Sequence, residues 1–251
     1  MLVYHKVDPK PELGLSCVHP KTFEKQIDFL ISKGFHLVTL SQLETESMSN
    51  DKRIAICFDD GYKGVIEHAY PILKKYSVAA TVFIITNFIG RKNTWDVNLG
   101  GIQYEHLSRE DIQKLVDAGW EIGSHSVSHQ SLRGVDKQEL QYQLRHSKAT
   151  LEKIIKQPVH VFTAPFGTIS NRINTAALKS GYHKICGFFP IKFYKGAIPK
   201  GVVLRLAVYR SDGLNSIERK LSGDRRLYFE IIKQNVINFC SNATIAVNTL
   251  R

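Results

Sequence analysis

Cysteine is scarce and unpatterned: Cys17, Cys57, Cys186 and Cys240 are the four in 251 residues, and no two form a C-x-x-C pair. That spacing excludes a zinc knuckle and a disulfide framework and favours a reducing compartment. No apolar run approaches transmembrane length, and neither repeats nor low-complexity segments occur. The opening MLVYHKVDPK lacks a charged segment followed by an apolar stretch, so the expected location is cytoplasmic, or exported if a leader has been removed. No G-x-G-x-x-G follows an apolar run, which leaves a dinucleotide site without support. The formal net charge of +11 fits nucleic acid, an anionic membrane surface or an acidic polymer. The lysines are spread along the chain, however, and the one dense cluster, RKLSGDRR over Arg219–Arg226, has no nucleic-acid motif beside it. Nucleic acid is therefore not an expected partner, and oligomeric state is not legible.

What is present is an ordinary core-forming composition, 43% hydrophobic and 10% aromatic, enough for one domain over 1–251. Its centre is RIAICFDDGY. Ile54 to Phe58 form a short apolar run of the kind buried on both faces of a sheet, and it stops at Asp59, Asp60 and Gly61. Adjacent carboxylates repel unless a cation or a shared proton compensates them. The other reading of Asp-Asp-Gly is a solvated turn.

Similar runs recur along the chain. Leu2–His5, Phe35–Leu40, Ala79–Ile85, Trp120–Ser124, His160–Ala164, Tyr182–Cys186 and Val202–Val208 read as strands. Between them lie helical patterns from Pro20 to Lys33, Val65 to Tyr76 with Pro71 inside, Ser108 to Ala118, Asp136 to Lys156 and Ser170 to Ser180, with a last one from Leu227 to Cys240. This alternation predicts an α/β fold, a single distorted (β/α) barrel of about seven parallel strands. Thr86–Leu107 reads as a long binding loop in which Trp95 either stacks on a sugar ring or plugs the loop onto the core.

His125-Ser-Val-Ser-His129 sets two imidazoles four residues apart just past a strand, a spacing that on a helical turn puts both on one face for one metal. In a parallel barrel the ends carrying Asp59-Asp60 and His125 share one rim. One carboxylate and two imidazoles leave positions open for water and substrate, which gives the second carboxylate a separate task.

With Ala164-Pro165-Phe166-Gly167 at a third strand end, CFDDGY, SHSVSH and APFG together resemble the polysaccharide deacetylase (NodB-homology) family of carbohydrate esterases. The opening Tyr4-His5-Lys6-Val7 is similar to a YHxV first strand in one branch of it, which includes enzymes acting on exopolysaccharide N-acetylglucosamine. The resemblance spans Leu2 to Cys186. It implies a divalent metal, zinc or a similar ion, on Asp60, His125 and His129, with Asp59 as general base. It further implies an oxyanion donor in the Phe166 N–H, substrate contacts at Tyr62 and Pro165, and release of acetate from an N-acetylated glycan or lipid-linked sugar.

Two family features are missing. Thr163 stands where many members carry an arginine that orients the base, and no histidine follows His183 to serve as the late general acid. Arg205 can supply the guanidinium from another strand and is placed among the substrate-facing candidates; its plain alternative is a surface cation. His5 can replace the acid; its alternative is a packed core histidine. Asp212 reads as a turn residue. A non-catalytic metal- and glycan-binding barrel is the competing function.

Overall fold

The computed structural model describes the whole chain except residues 11, 13, 45–51, 95–101, 191–198, 200 and 249–251, together with the side chains of 44 and 239–248. Trp95 lies outside the described residues. Strands β1 (Leu2–Tyr4), β5 (Arg53–Phe58), β6 (Thr81–Ile84), β7 (Glu121–Ser124), β8 (Val161–Thr163), β9 (Lys184–Phe188) and β10 (Val202–Ala207) close into a seven-stranded parallel barrel. Closure is made where β1 pairs with β10 through Leu2↔Leu206 and with β5 through Leu2↔Ile56. An eighth strand, β4 (His36–Val38), pairs with the first half of β5, and β6 takes over at Cys57↔Thr81. A separate two-residue pair, β2 (Lys6–Val7) and β3 (Cys17–Val18), follows β1.

Residues alternate across the wall, as the two-residue period of a strand requires. Val3, Ala55, Cys57, Phe83, Val161, Cys186 and Ala207 form one cluster inside the barrel. Their neighbours Leu2, Ile54, Ile56, Phe58, Val82, Ile84, Phe162, Ile185 and Leu206 form a second, larger cluster that includes the apolar faces of the helices. Seven strands leave little width, and Gly123 accommodates it: a Cβ there would sit 2.4 Å from the Phe83 ring and 2.8 Å from Val161.

Helix starts follow side-chain chemistry. In α1 (Pro20–Ser32) the His19 Nδ1 accepts from the Lys21 N–H and Pro20 occupies the first turn. Ser108 and Asp111 form a reciprocal capping box for α3 (Arg109–Asp117), Asp136 caps α4 (Lys137–Ile155), and Ser170 caps α5 (Asn171–Lys179). The single helix expected over Val65–Tyr76 is instead a π-helical turn, Val65–Ala69, followed by α2, Tyr70–Lys75. Pro71 lacks an N–H and is accommodated in the first turn of α2. Two helices finish the chain, α6 (Leu214–Leu221), absent from the sequence reading, and α7 (Arg225–Asn248), longer than read. From α7 the fully buried Gln234 accepts the Ala207 N–H at 2.6 Å, in the place of a strand partner beyond Arg205↔Phe188.

Candidate metal centre and base

The ladder between β1 and β5 continues one residue past the strand, the Asp59 N–H donating to Tyr4 O at 2.9 Å. Then the chain turns through two successive left-handed residues, Asp60 at φ 68° and Gly61 at φ 70°. Asp tolerates this region at a cost of roughly 1 kcal/mol. At Gly61 a Cβ would also meet Ile84 Cδ1 at 2.7 Å. The turn sends two adjacent carboxylates to different partners.

Asp59 faces into the barrel. Arg205, on the inward phase of β10 with Ala207, donates from Nη1 to Asp59 Oδ1 at 2.7 Å and from Nη2 to Oδ2 at 2.8 Å. Its Nη2 also donates to Thr163 Oγ1 at 2.6 Å, and its guanidinium carbon lies 5.1 Å and 5.6 Å from the Phe83 and Phe188 ring centres. Burial pushes the Asp59 carboxyl up, but the Arg205 charge, helped by His125 and His5, holds it below the ordinary carboxylate value. The guanidinium missing at position 163 thus arrives from β10 and rests on the threonine that stands there. Arg205 is neither a surface cation nor a substrate contact: it is 0% exposed, walled in by the two rings and by Asp59.

Asp60 turns to the imidazoles. Its Oδ1 lies 3.3 Å from His125 Nε2 and 3.4 Å from His129 Nε2, with all three side chains buried and their ligand atoms within 4.8 Å of one another. The His125 Nδ1–H donates to Thr163 O at 2.9 Å, which makes Nε2 the nitrogen that faces Asp60. Asp60 Oδ1 is buried and makes no hydrogen bond among the described residues. A buried acceptor left over between two imidazole nitrogens fits a bound cation, and an N,N,O donor set suits a divalent transition ion. Burial drives His129 down to about 3, which favours the neutral imidazole. Burial also pulls His125 down, but contact with Asp60 and the charge of Asp59 carry it above its ordinary value. For Asp60 burial is outweighed by the two imidazoles, and the carboxyl lies far below its usual range.

His125–His129 is not the helical turn its spacing suggested. Ser126 and His129 have φ of 67° and 61°, and the rings meet edge to face at 4.8 Å. Gln143, reaching from α4, holds the segment through Oε1, which accepts the N–H groups of Val127 (2.9 Å) and Ser128 (3.2 Å). The sequence reading missed Gln143; its signal was a polar residue on the buried Leu140–Leu144–Leu151 face of α4.

Among the other candidates, Phe166 has φ 60° and sets its ring 5.0 Å from that of His129. Its N–H makes no hydrogen bond among the described residues. His5 is half-buried just past β1, and its buried Nδ1 makes no hydrogen bond among the described residues. Pro165 is buried and opens the turn that carries Phe166. Tyr62 is likewise 1% exposed: its ring stacks on His106 at 4.7 Å and its hydroxyl accepts from Asn93 Nδ2 at 2.9 Å. It packs on His106 directly after the Asp60-Gly61 turn.

The parallel (β/α) barrel thus carries a two-imidazole, one-carboxylate cluster able to hold a metal ion on its C-terminal rim, with a second carboxylate clamped apart from it. The polysaccharide deacetylase family model matches residues 46–185, and the chain belongs to that family. It is 30% identical over 186 residues to YxkH of Bacillus subtilis, provisionally named a polysaccharide deacetylase, covering 72% of this chain and 61% of the relative. It is 28% identical over 181 residues to poly-beta-1,6-N-acetyl-D-glucosamine N-deacetylase of Staphylococcus aureus, covering 66% of this chain and 60% of that protein. The crystal structure of BC0361, a polysaccharide deacetylase from Bacillus cereus, superposes with a TM-score of 0.71 at 26% identity, over 86% of this chain and 66% of that one. The chain spans about three-fifths of the length of the curated relatives it matches. No described helix is long and apolar enough to cross a membrane.

Proposed function

We propose that this protein is a metal-dependent hydrolase that removes N-acetyl groups from an amino-sugar polysaccharide or glycoconjugate, a lipid-linked sugar included. The observation that carries the reading is the division of labour between neighbouring carboxylates: Asp60 meets two imidazole nitrogens while Asp59 is held by Arg205. Family membership and the printed name of the S. aureus relative support the substrate class.

Asp60, His125 and His129 would hold a divalent ion, zinc by the chemistry of the donor set. Such an ion acts as a Lewis acid that polarises the acetyl carbonyl and acidifies water. Asp59 takes the proton from the attacking water. Both of its oxygens accept from Arg205, yet each keeps a further lone pair for that proton. Arg205 fixes the carboxylate plane and keeps it ionised. The Phe166 N–H is a donor for the carbonyl oxygen as negative charge develops on it. Water adds to the acetyl carbon, the C–N bond breaks, and His5 delivers a proton to the departing amine, so acetate and a free amino sugar leave.

A second reading, a non-catalytic metal- and glycan-binding barrel, uses the same Asp60, His125 and His129 cluster without the proton transfers. Acetate release from N-acetylglucosamine oligomers, measured with zinc, cobalt or chelator, separates the two. Metal-dependent release that Asp59→Asn abolishes supports the hydrolase. Stoichiometric metal and glycan binding without release supports the binding barrel, and a protein that binds no divalent ion removes both.

A further inference from the structure

Thr163 closes β8 on the inner wall of the barrel and is fully buried. Its two polar ends serve different arms of the site. The hydroxyl accepts from Arg205 Nη2 at 2.6 Å and donates to Cys186 O at 3.2 Å, while the main-chain oxygen accepts from His125 Nδ1 at 2.9 Å. Arg205 leads on to Asp59, and His125 leads on to Asp60. We infer that Thr163 is a positioning residue that ties the base to the metal centre, its hydroxyl seating the guanidinium that orients Asp59 and its carbonyl fixing the ring of His125. This rests on the proposed function above.

The hydrogen-bond inventory is directional. A hydroxyl has one proton, and here it points to Cys186 O, so a lone pair is presented to Arg205. Arg205 has little else to turn to. Its fork lies between the Phe83 and Phe188 rings, and its buried Nε makes no hydrogen bond among the described residues. Removing the hydroxyl would orphan a second donor of a fully buried cation, and a guanidinium that shifts to recover it moves both Asp59 oxygens. A β-branched side chain suits this seat because few χ1 rotamers are open to it.

The test is Thr163→Val, which keeps shape and branching and leaves the main-chain oxygen in place, beside Thr163→Ser, which restores the hydroxyl. Losing a buried hydrogen bond to a charged group is expected to lower kcat roughly 10- to 100-fold, with KM and cobalt affinity within about threefold of wild type. Serine is expected to recover most of the loss. Thr81→Val is the control, since Thr81 Oγ1 binds Glu121 and the Leu40 N–H away from the metal cluster; it is expected to lower stability and leave kcat unchanged. Independently of turnover, denaturant unfolding of Thr163→Val, Asp59→Asn and the double variant is expected to be non-additive by at least about threefold in equilibrium constant, through their shared Arg205. Unchanged kcat in Thr163→Val, loss of cobalt binding together with kcat, or an additive cycle would each overturn the inference. If the wild-type protein released no acetate, the functional reading would fall, and the unfolding cycle would still decide the role of Thr163.

Discussion

Arg205 holds Asp59 through both terminal guanidinium nitrogens, at 2.7 and 2.8 Å, across 146 residues of sequence and with neither side chain more than 3% exposed. The two charges are therefore stable only as a pair. Replacing one partner leaves the other uncompensated in a medium that cannot solvate it, at a cost of about 3–5 kcal/mol. Arg205→Leu is expected to destabilise the protein by that amount in urea unfolding, and Arg205→Leu with Asp59→Asn by clearly less. A double variant destabilised by the sum of the two single variants would mean that the pair is not coupled.

Asp59 is also the group assigned to take the proton. Asp59→Asn keeps an acceptor for Arg205 but cannot act as a base, so deacetylation is expected to fall roughly 10²–10⁴-fold. Bound metal per chain should stay at the wild-type value, because the Asp60–His125–His129 cluster does not include Asp59. Metal analysis of the same preparation used for kinetics checks both halves, and joint loss of metal and activity would make Asp59 a ligand.

Much of this site was legible because strand ends announce themselves. Ile54–Phe58 stops at two carboxylates, and Trp120–Ser124 runs into His125. The rest was hidden for physical reasons. Which face of β10 looks inward depends on barrel closure, so Arg205 could be read as a surface cation although Val203, Arg205 and Ala207 share one phase. The spacing of His125 and His129 suggested a helix because i,i+4 is a helical distance, yet the segment is held open by Gln143 and by two left-handed residues. Tyr62 and Pro165 follow motif residues directly, but proximity in sequence did not place them at the surface. Two-residue strands such as β2 and β3 leave no periodicity to find.

Metal binding should also report on folding. A ligand that binds only the native state stabilises it by about 2.7 kcal/mol at a hundredfold excess over Kd, which for a chain of this size is a rise in Tm of roughly 5–10 °C. Zinc is expected to raise the Tm of the wild-type protein, and chelator to reverse it. Asp60→Ala and His129→Ala should show no zinc-dependent shift. An equal shift in those variants would place the ion elsewhere.

A largely buried ionic network joins α6 and α7 to the turn that follows β10. Glu230 accepts from Lys220 at 2.6 Å, from Arg219 at 2.9 Å and from Ser216 at 2.8 Å, and Asp212 pairs with Lys220 and Lys233. Burial pushes the Glu230 carboxyl up, but hydrogen bonds from Lys220 and Lys233 outweigh it and hold the group at about 2 against an ordinary 4.5. A carboxylate depressed on folding stabilises the native state fully above its unfolded value, and that contribution disappears as pH falls through the folded one. Stability measured by urea unfolding is therefore expected to drop between about pH 4.5 and pH 2. In Glu230→Gln the baseline at neutral pH should be lower and the acid-dependent drop shallower. An unaltered acid limb in that variant would assign the loss to other carboxylates and remove Glu230 from the account.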